Sequence, residues 1–273
     1  VQRGGPSTGL PTKTEQSDLM QVMFGRNGEC PLPVVAAQSP GDCFYAAIEA
    51  VRIAVRHTLP VVLLSDGYLA NGAEPWKVPD MSALEPIKVE FATDPEGFQA
   101  YSRDDNLARP WAIPGTPGME HRLGGLEKQH LTGNVSYDPD NHQFMSELRA
   151  EKVRKVAEHI PPIAPHGDDG GTLVLGWGGT FGALRAAVDQ ARQQGTRVAH
   201  VHLRHLNPLP KDLGEVMDRY DRILVPELNL GQLSYILRAT FVRDVEPFHK
   251  LKGKPFKVSE VLARILEPKE AAA

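Results

Sequence analysis

Thr172-Leu173-Val174-Leu175-Gly176-Trp177-Gly178-Gly179-Thr180-Phe181-Gly182 is an unbroken apolar run that ends in glycines and gives way to a helical pattern. Such a run reads as a strand covered on both faces, 172–176, then a tight turn, then a helix over 181–194. Gly195 is placed to stop that helix, and 197–203 reads as the next strand, which completes a β-α-β unit and predicts a parallel sheet. The pattern continues with Asn207-Pro208-Leu209-Pro210, a helix near 213–220, a strand over 222–226, a helix opening after Asn229 and a last helix over 258–266. Residues 171–268 are therefore expected to form a complete α/β domain, with 269–273 a frayed tail.

The same alternation occurs once upstream. Residues 33–37 read as a short strand, 42–56 as a helix and 60–66 as a second strand. In that helix Phe44, Ile48, Val51 and Val55 fall on one stripe, and Gly41 or Asp42 can cap its start. One such unit is half a domain, so residues 1–70 are expected to be the C-terminal part of a larger one. Between the two units, 71–170 is rich in proline and glycine. It reads as a connecting arm with one helix, 141–159, carrying Phe144, Leu148, Val153 and Val156 at helical spacing. So long an irregular stretch is functional or drapes over a neighbour, and Trp76, Trp111 and Ile113 call for something to bury against.

Val1-Gln2-Arg3-Gly4-Gly5-Pro6-Ser7-Thr8-Gly9-Leu10-Pro11-Thr12 opens the chain as a loop of glycines and hydroxyls with one arginine. Exposed backbone N–H groups, hydroxyls and a guanidinium can converge on an anion, and Arg3 can grip a carboxylate through two parallel hydrogen bonds. The chain begins mid-loop without an initiator Met, which suggests a piece of a longer protein whose opening loop is less ordered than in the whole.

Composition excludes several classes. The 273 residues are 41% apolar and carry 30 basic against 34 acidic side chains, a net charge of −4. No basic block would track a phosphate backbone, so nucleic acid is not an expected partner. No apolar run approaches the roughly 20 residues of a membrane helix, and no secretory signal opens the chain, so a cytoplasmic protein is expected. Cys30 and Cys43 are too few for a disulfide framework or for the roughly four thiolates of an iron–sulfur cluster. No metal ligand set is expected in this chain. No Gly-x-Ser-x-Gly elbow, His-Glu-x-x-His helix or P-loop occurs, which removes the usual support for a hydrolase or NTPase.

Three constellations remain open. Gly176 to Gly182 is a tight turn, a nucleotide cradle at a helix N-terminus, or a subunit contact; Trp177 and the lack of an acidic residue after 197–203 weigh against the cradle. His200, His202 and His205 invite a metal reading, but satisfied or interfacial histidines fit better because no further ligand can be placed beside them. Glu227, Asn229 and Gln232 follow a strand and enter a helix. Asn229 can be its N-cap, or the three can form an interface at the carboxyl end of the sheet.

Gln2 to Thr12, Glu15-Gln16-Ser17-Asp18-Leu19 and Ser65-Asp66-Gly67 together resemble the alpha subunit of 2-oxoacid:ferredoxin oxidoreductases. Arg109-Pro110-Trp111-Ala112-Ile113-Pro114-Gly115, Gly133-Asn134-Val135-Ser136-Tyr137-Asp138, Pro226 to Gln232 and Gly253-Lys254-Pro255-Phe256 are similar to its 2-oxoglutarate branch. The resemblance implies a partial thiamine-pyrimidine-type parallel-sheet domain in 1–70 and a transketolase C-terminal-like domain in 171–268. It implies the oxidative decarboxylation of 2-oxoglutarate to succinyl-CoA with reduction of ferredoxin, in a heteromer with a beta subunit. Arg3 matches the family arginine that binds the substrate carboxylate, with Ser7 and Thr8 beside it as hydrogen-bond donors.

Ser65-Asp66-Gly67-Tyr68 is similar to the Gly-Asp-Gly magnesium motif of thiamine diphosphate enzymes, but no Asn-Asn pair follows, so it reads as a strand end and turn. The family's thiamine-activating glutamate would lie upstream of residue 1. Thiamine diphosphate, Mg2+ and a [4Fe-4S] cluster are then held mainly by other segments or chains, and this stretch alone is expected to be inactive. The rival readings are a scaffold or assembly module of the same complex, and a nucleotide-binding α/β module built on the Trp177 turn.

Overall fold

The computed structural model describes residues 1–268. The expected tail, 269–273, lies outside the described residues. The upstream unit comprises α1 (Leu19–Phe24), β1 (Val34–Ala36), α2 (Asp42–His57), β2 (Val62–Leu64) and α3 (Gly67–Asn71). The arm holds a two-stranded parallel pair, β3 (Phe91–Ala92) with β4 (Trp111–Ala112), and α4 (Pro139–Lys155), which runs on into a 3-10 turn, Val156–His159. The downstream unit comprises β5 (His166–Gly167), β6 (Thr172–Trp177), α5 (Phe181–Gln193), β7 (Val198–Leu203), β8 (His205–Asn207), α6 (Leu213–Asp218), β9 (Arg222–Glu227), α7 (Gln232–Phe241), β10 (Glu246–His249) and α8 (Val258–Leu266).

The downstream sheet has the order β10-β9-β6-β7-β5, parallel throughout except for the edge strand β5. All six residues of β6 and of β9 are buried, as strands covered on both faces are, including the charged Arg222 and Glu227 at the ends of β9. One face packs on α5 and α8 through Leu184, Val188, Val261 and Ile265, and the other on α6 and α7 through Leu213, Met217, Leu233 and Leu237. None of the helices among the described residues is long and apolar enough to cross a membrane.

The expected boundary at 171 does not separate two sheets. β8, from the downstream half, pairs antiparallel with β1 through Val35 and His205, giving a second sheet of order β2-β1-β8. The apolar cluster of Leu173, Leu175 and Trp177 also includes Leu19, Val34, Ala36 and Leu64, so the two units share one core. Periodicity cannot show this, because each segment satisfies its own pattern before the two meet.

The expected stripe of α2 changes phase, whereas that of α4 fails only in its first half, Val153 and Val156 being buried as expected. In α2 the buried positions are Ala46, Ile53 and His57, whereas Val51 is exposed. In α4 the buried residues are Asn141, Met145 and Val153, and Phe144 is exposed. Asn141 faces inward because its amide donates to the Lys128 carbonyl and accepts from the His130 N–H. The arm's Trp76, Trp111 and Ile113 remain exposed in this chain.

Candidate functional site

The opening loop is stitched to the end of β2. The N–H of Gln2 donates to the Ser65 carbonyl at 2.7 Å and the Gln2 carbonyl accepts from Gly67 N–H at 2.9 Å, so residues 2 and 66 pair as in a parallel ladder. Alternation then buries Gln2 and Gly4 and turns Arg3 outward. Gly4 pairs with Leu10, and Gly9 closes the loop at φ +48°, where a Cβ would stand 2.0 Å from the Gly4 carbonyl oxygen. Both ends of the loop are thus fastened by backbone hydrogen bonds.

Arg3 and Ser7 lie on the wall of a cavity of about 590 Å3, together with Glu15, Ser17 and Asp18. Thr8, expected beside them, does not line it. Among the described residues no ion pair or hydrogen bond holds the Arg3 guanidinium. The Ser17 hydroxyl donates to the Arg3 carbonyl, and burial raises the Glu15 carboxyl above its usual range, an effect opposed by the backbone N–H of Gly5. A cleft of the same volume lies between α2 and β7, lined by Ile48, Arg52, His159 and Val201, and shares no wall residue with the Arg3 cavity.

Beneath the loop sit two buried polar residues that connect it to the downstream unit. Asp66 accepts from the Thr14 hydroxyl at 2.9 Å, from the backbone N–H groups of Tyr68 and Leu69 at 2.9 and 3.2 Å, and from Gly179 N–H at 2.9 Å. Gln16, fully buried, donates its amide to the Trp177 carbonyl and accepts from Leu228 N–H, both at 2.8 Å. The glycine turn between β6 and α5 is therefore already filled. Asp66 supplies the negative charge that a helix N-terminus attracts, and a Cβ on Gly179 would meet its Oδ2 at 2.5 Å. The nucleotide reading of the Trp177 turn is corrected accordingly: its anion slot holds a carboxylate of the same chain.

Glu227, Asn229 and the half-buried Gln232 make their hydrogen bonds within their own chain. Glu227 and Asn229 are buried; Glu227 accepts from Leu233 N–H, Ser234 N–H and the Ser234 hydroxyl, and so serves the start of α7. Asn229, expected as N-cap, lies before the Gly231 cap and accepts from the N–H groups of Gly231 and Gln232. The Gln232 amide bonds Met20 N–H and the Ser17 carbonyl. These residues thereby join two parts of one chain.

His200 and His202 stay together, their ring centroids 5.4 Å apart, and His205 lies apart from them. His205 bonds Glu49 at 3.1 Å, and that bond holds the Glu49 carboxyl below its usual range. His202 donates to the Gly178 carbonyl at 3.0 Å and burial pushes it down to about 3. His200 is buried with neither ring nitrogen partnered, so of the two expected alternatives, satisfied or interfacial, it is not satisfied within this chain, and burial lowers its pKa well below the usual value. Among the described residues no three His, Cys, Asp or Glu side chains could hold a metal ion. Asp66, the acidic residue of the magnesium-like motif, has its carboxylate committed to four donors, so these residues do not fit a diphosphate–magnesium site. With two cysteines, the chain does not fit a four-thiolate cluster either.

Asp66, Gln16 and Thr14 were not singled out from sequence as site residues. Asp66 before Gly67 carried an N-cap signal that α3 realises, but its bond to Gly179 joins residues 113 apart.

Residues 1–136 match the family described as pyruvate flavodoxin/ferredoxin oxidoreductase, thiamine diP-bdg, and residues 171–261 match pyruvate:ferredoxin oxidoreductase core domain II. The 2-oxoglutarate oxidoreductase subunit KorA of Mycobacterium tuberculosis is 54% identical over 96% of this chain and 40% of its own length. The alpha subunit of 2-oxoacid:ferredoxin oxidoreductase 1 of Aeropyrum pernix is 34% identical over 97% of this chain and 43% of its own. A solved 2-oxoglutarate:ferredoxin oxidoreductase from Magnetococcus marinus, with 2-oxoglutarate, coenzyme A and succinyl-CoA bound, superposes with a TM-score of 0.90 at 31% identity, over 97% of this chain and 47% of that one. The chain spans less than half the length of these three relatives. With both family matches in chain order around the shared core, it belongs to the alpha subunits of the 2-oxoacid:ferredoxin oxidoreductases.

Proposed function

We propose that this chain is part of the alpha subunit of a thiamine-diphosphate-dependent 2-oxoglutarate:ferredoxin oxidoreductase, in which Arg3 binds the 2-oxoacid carboxylate. The observation that carries the reading is the unpartnered Arg3 guanidinium, held by a fastened backbone at the wall of a cavity of about 590 Å3. A permanently charged planar fork takes a carboxylate through two parallel N–H···O bonds, and a fixed backbone means little reorganisation when the acid arrives. Ser7, on the same wall, offers a hydroxyl to a second substrate oxygen; Thr8 is a weaker candidate.

In this reading 2-oxoglutarate and coenzyme A are the substrates, and succinyl-CoA and reduced ferredoxin the products, in a cytoplasmic heteromer with a beta subunit. Thiamine diphosphate with Mg2+, and the [4Fe-4S] cluster, are then held mainly by other segments or chains: the Asp66 carboxylate is taken by four donors of its own chain, and two cysteines are too few for four thiolate ligands. The test is Arg3→Ala in the assembled enzyme. The apparent affinity for 2-oxoglutarate should fall at least about tenfold, whereas an unchanged KM would remove Arg3 from the site and leave the scaffold reading.

A further inference from the structure

Arg109 and its neighbours in the arm have no task in the reading above. The guanidinium carbons of Arg103 and Arg109 both lie against the ring of Tyr101, at 5.6 and 5.8 Å from its centroid. Lys152, on α4, joins them; its ammonium makes one long hydrogen bond, 3.5 Å to the Thr58 carbonyl. Burial, together with the charges of Arg103 and Arg109, pushes Lys152 down to about 8. Arg103 is a brace, donating to the carbonyls of Tyr101 and His130. Arg109 and Lys152 keep donors to spare, and among the described residues no carboxylate forms an ion pair with any of the three. Asp104 is the acidic group in electrostatic range, yet one of its oxygens already accepts from Asn106 and Ala108 N–H.

Arg109 and Thr58 form part of the wall of a cavity of about 250 Å3, which Arg56 and Lys88 also line, against Glu90 and Asp104. The carbonyls at the C-terminus of α2 explain part of this gathering of cations, but a helix end carries only about half a negative charge. Positive charge left in excess around a partly buried ammonium is unfavourable unless an anion joins it.

We propose that this cluster binds a phosphate group, with Arg109, Arg56 and Lys88 as its ligands and Lys152 as the charge behind them. A phosphate carries up to about two charges on several acceptor oxygens, which several donors can share, whereas one carboxylate satisfies a single fork. The proposal does not depend on Arg3 or on which oxoacid is used.

The test titrates the intact, assembled protein with inorganic phosphate at constant ionic strength, with AMP as a second probe. Heat and the acylation rates of Lys152 and Lys155 are followed. Phosphate should bind saturably, protect Lys152 but not Lys155 from acylation, and bind at least about tenfold more weakly to Arg109→Met. Lys88→Met, at an exposed position, is the second variant and should weaken binding without disturbing the arm. AMP binding more tightly than phosphate, with the same dependence on Arg109, names a nucleotide phosphate as the source; equal affinities name the free ion. Heat that never saturates, or binding that neither variant weakens, overturns the proposal.

Discussion

The carboxylate of Asp66 accepts the backbone N–H of Gly179 at 2.9 Å, joining the strand-end that holds Arg3 to the start of α5. The same carboxylate takes the Thr14 hydroxyl, so the loop and the downstream unit are tied at one buried point. Asp66→Ala should therefore cost about 2–4 kcal/mol, since it strands buried N–H and O–H donors. Urea unfolding of the intact protein measures this, and a loss below about 0.5 kcal/mol would show that the link is not stabilising.

Gly9→Ala should act on function more than on stability. Its Cβ would collide with the Gly4 carbonyl at 2.0 Å, and φ +48° already disfavours a side chain. The exposed loop has to open to accommodate the methyl group, moving Arg3. KM for 2-oxoglutarate should rise at least about fivefold, while Tm shifts by no more than about 2 °C. An unchanged KM with normal folding would separate Arg3 placement from loop closure.

Glu227 takes five donors, including Trp177 Nε1 at 3.3 Å and Asn229 Nδ2 at 3.1 Å besides those at the start of α7. Glu227→Gln removes the charge that suits a helix N-terminus and turns one acceptor into a donor facing N–H groups. A loss of about 1–3 kcal/mol is expected, with Glu227→Ala larger. Denaturant midpoints of the two variants give the order.

Acid should destabilise the protein through buried histidines. Burial pushes His57 down from 6.5 to about 4 and His202 to about 3, and keeps His200 well below its usual value. Below pH 6.5 the unfolded chain binds protons that the native state refuses, so the contribution is complete above 6.5 and is lost as pH falls from there toward 4. His57 alone should account for roughly 2 kcal/mol by pH 4.5. Melting curves between pH 7.5 and 4.5 should fall, and His200→Phe should flatten the fall; a pH-independent Tm would contradict the assignment.

Much of this was legible along the chain. The helix over 258–266 is α8 residue for residue, and 172–176 and 181–194 differ from β6 and α5 by one residue each. These segments report themselves because a two-sided burial and a 3.6-residue stripe are written locally. The short strands β8 and β10 and the inward face of α2 were not legible. Three- and four-residue strands carry too little pattern, and the buried face of α2 mixes Ala46, Ile53 and His57, which apolar spacing does not single out. In the opening loop the turn-forming glycines around Arg3 were legible, but the placement of Thr8 away from the cavity was not.

The sequence by itself determined the alternation of strands and helices, the long arm, and the loop that carries Arg3 among glycines, because these depend on residues close in the chain. Only the tertiary structure decided that β8 completes the upstream sheet, that Asp66 fills the turn at Gly179, and that Glu227, Asn229 and Gln232 bind their own chain. Each of those rests on hydrogen bonds between groups that no local spacing relates, and a buried donor or acceptor finds its partner wherever packing brings one.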